Sequence, residues 1–224
     1  LAEGNMFDRE EFEAKINGEM EKISKAYQRF KEIQLQQSEK MVDFKQAKYA
    51  LNERLSALNH LLNNKMYGAV ETNISYEKWL LTHQPFHWLA EFYEIINEYG
   101  GFDVIIGNPP YVEYNKKIQG IAISDLYKLV GYKTISCGNL YAYILERSKK
   151  IMKQESFISM IVPLSGHSTE RMAPLVTNFY EKFGLHLHLN LSADANPQKL
   201  FEGVKFRLVI FTATNNGVGK YSTK

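Results

Sequence analysis

The chain holds a single cysteine, Cys137, which excludes an internal disulfide framework and fits a reducing compartment. No apolar run approaches the roughly 20 residues of a membrane span, and no signal-peptide pattern opens the sequence. These absences predict a cytoplasmic protein with no membrane partner. Charge is equally unassertive: a formal net charge of +2 over 224 residues does not by itself announce a polyanion as partner. Metal ligands are also scarce. His186 and His188 share one side of an alternating segment, yet no Cys, His or Glu stands at ligand spacing, so no metal is predicted. Between residues 19 and 67 there is neither glycine nor proline.

What is present falls into two grammars. Residues 19–67 are mostly Glu, Lys, Gln, Ala, Leu and Met, all strong helix formers. Apolar or aromatic residues recur every three or four positions: Ile16, Met20, Ile23, Tyr27, Phe30, then Met41, Phe44, Leu51, Leu55, Leu58 and Leu62. A narrow stripe at that period predicts a helical hairpin or coiled coil, with its turn in the polar stretch 34–40. Lys and Arg on the polar face allow two readings, an arm that grips a partner and a structural insertion whose charges are merely solvated.

After Gly68 the pattern changes. A helix is expected over 74–97, carrying Trp79, Phe86, Trp88, Phe92 and Ile95. Gly100-Gly101 then precede the apolar run 102–106, which reads as a buried strand covered as in a parallel sheet. Further elements are expected as a helix over 139–154, a strand over 157–162, a helix over 170–183 and strands over 185–191 and 206–212. Strands alternating with helices predict an α/β domain with a mainly parallel sheet. Ligands in such sheets sit beyond the carboxyl ends of the strands, so the residues after Ile106 and Val162 carry the interest.

After Ile106 comes Gly107-Asn108-Pro109-Pro110-Tyr111. Consecutive prolines have a fixed φ and no backbone donors, which makes the loop stiff and leaves its carbonyls free to accept. The amide oxygen of Asn108 and the carbonyl of Pro109 together suit both protons of a planar amino group, and Tyr111 offers a face on which a ring can stack. The plain alternative is a Pro-Pro turn capped by an asparagine. After Val162, Ser165-Gly166-His167-Ser168 borders the same end of the sheet, without an identifiable base or orienting acid for a nucleophilic serine.

The run from Gly101 to Tyr111 resembles the catalytic motif of amino-methyltransferases acting on adenine. Residues 85–92 resemble the segment preceding that motif in type IIG restriction-modification proteins and phage-exclusion methylases. Gly138-Asn139-Leu140-Tyr141 and the helix behind it, the strand ending at Pro163, and Leu200-Phe201-Glu202-Gly203 are similar to the motifs that follow in the same order. On these residues the chain is identified as a member of the γ-class N6-adenine DNA methyltransferases. The resemblance implies the second half of a Rossmann-like, S-adenosylmethionine-dependent methyltransferase sheet, with a long helical insertion at the N-terminus. Residues 1–67 would form that arm and 68–224 a partial catalytic domain.

Carried over, Asn108 and Pro109 bind the amino group of an adenine flipped out of duplex DNA, and Pro110 stiffens the loop. Tyr111 and Phe201 stack on the base, and Asn139 and Ile144 border the methyl donor. Lys116 and Lys117, with Lys128 behind them, are candidates for DNA phosphates. A merely solvated loop is the other reading of those lysines. The amino group attacks the donor methyl directly, with no metal and no covalent intermediate. One departure is large: the family's Gly-rich donor-binding loop has no counterpart here. The chain is therefore expected to be an inactive excerpt of a longer enzyme, with other restriction or defence domains as partners. Two alternatives stay open, a protein-glutamine amide methyltransferase sharing the Asn-Pro-Pro-Tyr motif and an inactive assembly module binding partners through its arm.

Overall fold

A computed structural model describes residues 6–35, 41–69, 73–117, 120–127, 129–191 and 207–216. The chain divides into two compact units, residues 1–93 and 94–224.

The first unit is helical. Helices α1 (Met6–Leu35) and α2 (Met41–Gly68) form an antiparallel hairpin. Phe30 packs on Phe44 at 5.2 Å between ring centroids, while the Lys65 ammonium sits 4.8 Å over the Phe12 ring at the other end. The sequence stripe is the seam: Ile23, Tyr27, Leu51 and Leu58 are buried, with Ile16, Met20, Phe30, Leu55 and Leu62 packed around them. The compact unit extends past Gly68, because Ala90 and Tyr93 join this core and the Tyr93 hydroxyl donates to the Met20 carbonyl at 3.4 Å.

The single helix expected over 74–97 is instead broken. Helix α3 (Tyr76–His83) is capped by Ser75 and ends at Gln84, at φ 42° immediately before Pro85. Proline lacks an amide donor and excludes helical geometry from its predecessor, so the chain restarts at α4 (Trp88–Glu91). A π-helical turn, Glu94–Glu98, follows in the second unit.

The second unit is a mixed α/β fold on a four-stranded sheet of order β1-β2-β4-β3. Strand β1 (Phe102–Gly107) leads through α5 (Ile123–Leu126) and α6 (Leu140–Lys150) to β2 (Met152–Pro163). Short α7 (Ser165–Ser168) and α8 (Ala173–Asn178) precede β3 (His186–Leu191) and β4 (Leu208–Thr214). The mainly parallel sheet expected from the element order is corrected. Among the described residues only β1 and β2 pair in parallel, because β4 enters antiparallel between β2 and β3. The antiparallel pairings still leave β1, β2 and β3 running in one direction.

Two boundaries also move. Helix α6 stops at Lys150 and β2 begins at Met152, because Gly101 brings the chain against this turn. Gly101 has φ +127°, and a Cβ there would lie 2.6 Å from the Ile151 carbonyl oxygen. The helix expected over 170–183 is a series of short turns around α8, which starts with Pro174 in its first turn.

One face of the sheet is sealed. Ile158, Met160, Val162, Val209, Phe211 and Ala213 alternate onto it and pack with Tyr141 and Leu145 of α6, Leu175 of α8, and Phe179 and Phe183. The opposite face is open. Ile106 pairs with Ser159, Ser159 with Thr212 and Thr212 with Leu187, a row crossing all four strands. Ile106 is 78 % exposed, and Val104, Phe157, Leu187 and Leu189 on that face are exposed too. The fully covered strand expected over 102–106 is therefore covered on one side only.

Candidate active site

The Asn-Pro-Pro-Tyr loop begins where β1 ends, at the carboxyl edge of the sheet. Gly107 closes the strand beside Met160, and a Cβ there would sit 2.8 Å from the Met160 sulfur, so only glycine lets the two strands meet without displacing it. Past this point Asn108 is exposed, Pro109 buried, Pro110 exposed and Tyr111 half-buried. The Tyr111 hydroxyl lies 2.7 Å from Asn108 Oδ1 and 2.9 Å from the Ile161 carbonyl oxygen. Its ring meets the Tyr141 ring edge-on at 6.3 Å. Burial raises the Tyr111 phenol above its ordinary range and pushes Tyr141 up to about 12, so both stay protonated at neutral pH.

The chain leaving the loop is laced to the start of α6. Leu140 N–H donates to the Val112 carbonyl at 2.9 Å, Tyr114 N–H donates to the Gly138 carbonyl at 2.9 Å, and Glu113 pairs with Asn139 in an isolated bridge. Asn139 is thus brought beside the exit of the motif, where its side-chain oxygen caps α6 by accepting from Tyr141 N–H at 3.4 Å. Ile144 lies one turn further along, 37 % exposed. Lys116 and Lys117 are exposed on the loop beyond Glu113. Phe201 and Lys128 lie outside the described residues.

Several supports carry no sequence signal, because their partners are far apart in the chain. Arg171 reaches Glu113 at 3.0 Å and ties the exit of the motif to the turn before α8. The buried Glu146 carboxylate accepts from Thr134 N–H and Oγ1–H at 3.0 and 2.8 Å and from Lys133 N–H at 3.2 Å. Burial works to raise that carboxyl, but the hydrogen bonds from Thr134, Lys133 and Lys150 outweigh it and hold the group below its usual range. Tyr141 stands within a segment already singled out, but its contact with Tyr111 appears only in the fold.

Three of the six histidines gather around Phe211, on the covered side of the sheet. His167 stacks on Tyr180 at 3.9 Å and meets His188 edge-on at 4.5 Å, while His186 and His188 stack at 6.0 Å. Neither ring nitrogen of His167 has a hydrogen-bond partner among the described residues, and burial, with His188 and His186 adding to it, lowers His167 to about 3. No group of His, Cys, Asp or Glu among the described residues is arranged to hold a metal ion. No described helix is long and apolar enough to cross a membrane.

A stiff loop with an exposed amide acceptor at a strand's carboxyl end, backed by a tyrosine fastened to the next strand, is suited to receiving a planar amino group. Comparison with known proteins gives the family. The chain is 31% identical over 112 residues to a type II restriction enzyme and methyltransferase of Methanocaldococcus jannaschii, an alignment covering 50% of this chain and 9% of that protein. The chain thus spans a small part of the length of the relative it matches. The sequence pattern of the Eco57I restriction-modification methylases matches residues 11–201, from within α1 to beyond β3, so it takes in most of the helical hairpin and strands β1 to β3 but not β4. With most of its length inside that match, the chain belongs to the Eco57I restriction-modification methylase family.

Proposed function

We propose that this chain is the base-gripping part of a site-specific DNA methyltransferase within a longer restriction-modification protein. The reaction moves a methyl group from S-adenosylmethionine to the exocyclic amino group of an adenine extruded from duplex DNA. The observation that carries this reading is the exposed Asn108 amide, on a Pro-Pro loop at the end of β1 and held within 2.7 Å of the Tyr111 hydroxyl.

Asn108 Oδ1 and the Pro109 carbonyl accept the two amino protons, which favours a pyramidal, nucleophilic nitrogen. Pro110 keeps the loop stiff. Tyr111 and Phe201 stack on the extruded base and offset part of the few kcal/mol that extrusion costs. Lys116 and Lys117 reach DNA phosphates.

S-adenosylmethionine, when bound, supplies an electrophilic methyl group. The residues assigned to its site fit it in part: Ile144 offers an apolar wall, whereas the Asn139 oxygen is engaged in capping α6. The sequence contains no Gly-rich strand-to-helix loop, so the isolated chain is inactive and the remaining donor contacts come from elsewhere in the parent. The open sheet face and the place of β1 at the end of the strand order among the described residues support this reading as the second half of a Rossmann-like sheet. The helical hairpin would then be an insertion between the halves.

The test is Asn108→Ala in the full-length parent. Methylation of plasmid DNA should be lost while the melting temperature stays unchanged. Wild-type methylation by the variant removes the assignment.

A further inference from the structure

The Tyr111 phenol poses a problem of proton counting. A hydroxyl has one proton to donate, yet two acceptors lie within reach of it, Asn108 Oδ1 at 2.7 Å and the Ile161 carbonyl oxygen at 2.9 Å. Both acceptors have reasons to be there. Pairing between β1 and β2 ends at Gly107 and Met160, so the next carbonyl of β2, that of Ile161, lies beyond the end of this ladder. A polar group at such a strand end needs another partner, and the tyrosine of the loop supplies it. Asn108 is exposed, so packing alone does not set the rotation of its carboxamide. The same hydroxyl fixes it from the side.

We infer that Tyr111 has a second task besides presenting its ring: it is a positioning residue that sets the Asn108 carboxamide through its hydroxyl and releases the amide oxygen to the substrate. Before the substrate arrives, the phenol holds Oδ1 in place. When an amino group comes to Oδ1, the amide oxygen has a second lone pair for it. The phenolic proton can also turn to the Ile161 carbonyl without movement of the ring, so the hand-over strands no buried donor. The edge-on contact with Tyr141 steadies the ring during this exchange. Burial keeps the phenol protonated and therefore a donor throughout. This inference rests on the reading of Asn108 as the amino-group acceptor.

Tyr111→Phe in the full-length parent is the test, since it removes the hydroxyl and keeps the aromatic face. The single-turnover methylation rate should fall about ten-fold, the scale of one lost hydrogen bond in a preorganised site. Duplex affinity and the fluorescence of 2-aminopurine at the target position should not change, because binding and stacking use the ring. An unchanged methylation rate overturns the inference. So does a matching loss of 2-aminopurine signal or a lowered melting temperature, either of which would make the hydroxyl an anchor of the loop to β2 instead. Asn108→Ala is measured alongside to separate the two levels. If it is inactive while Tyr111→Phe behaves as wild type, only the positioning role falls. If Asn108→Ala methylates normally, the reading beneath it falls as well.

Discussion

In the helical unit, α1 and α2 turn their apolar stripes toward each other, and the surplus apolar residues Val42, Tyr49 and Met66 stand apart along α2. In the sheet unit, the side carrying Ile158, Val209 and Phe211 is sealed, while the other side leaves Ile106, Phe157 and Leu187 exposed in rows that run from strand to strand. A helix needs one partner for one stripe, and a hairpin provides it from adjacent sequence. A sheet with apolar residues on both sides needs two layers, and only one layer lies within the described residues. The hairpin closes its seam from adjacent sequence. The sheet unit leaves apolar residues exposed in rows on one side.

The sharpest test of that contrast is to damage each core separately. Phe211 is fully buried among Phe179, Tyr180, Phe183 and the three histidines, and Leu58 is fully buried in the hairpin. Phe211→Ala should remove about 3–5 kcal/mol of stability and Leu58→Ala about 2–5 kcal/mol. Hydrogen exchange should place the lost protection in β2 and β4 for the first and in α1 and α2 for the second. Loss of protection throughout the chain in both variants would mean that the two units do not unfold independently.

A middle-sized effect concerns pH and belongs to the sheet unit. His167, lowered to about 3 from the usual 6.5, stays neutral in the fold while the unfolded chain takes up a proton. The sign follows: its contribution is flat above pH 6.5, and stability falls as the pH drops from 6.5 toward 3. The slope is at most about 1.4 kcal/mol per pH unit for one proton. His167→Phe keeps an aromatic ring on Tyr180 and should remove this slope. Urea unfolding of both proteins at pH 7, 6 and 5 reads it, and parallel pH dependences would show that His167 titrates as an ordinary histidine.

The smallest effect is expected on the outer face of the hairpin. Lys25 and Glu21 pair at 2.6 Å, as do Lys22 and Glu19, but Lys25 and Glu21 are both largely exposed. Exposed pairs one helical turn apart are screened and entropically loose. Lys25→Ala should leave the melting temperature unchanged within error. A clear drop would show that the polar face of α1 does structural work, against a purely solvated role.

Periodicity alone determined the helices and the stripe they carry, while the choice of a hairpin was made by the fold. The stripe from Ile16 to Leu62 is local, and each residue on it reports its own side of a helix. The Asn-Pro-Pro-Tyr loop was legible for a related reason: Asn108-Pro109-Pro110-Tyr111 is contiguous, and two prolines fix a backbone whatever surrounds them. Tertiary structure alone decided that β4 enters antiparallel between β2 and β3 and that one face of β1 is open, since strand order and coverage are pairings between distant segments. It also decided where Tyr111 anchors. The Ile161 carbonyl is fifty residues away, and a hydroxyl within 3 Å of two acceptors exists only once β1 and β2 lie side by side and one strand ends before the other.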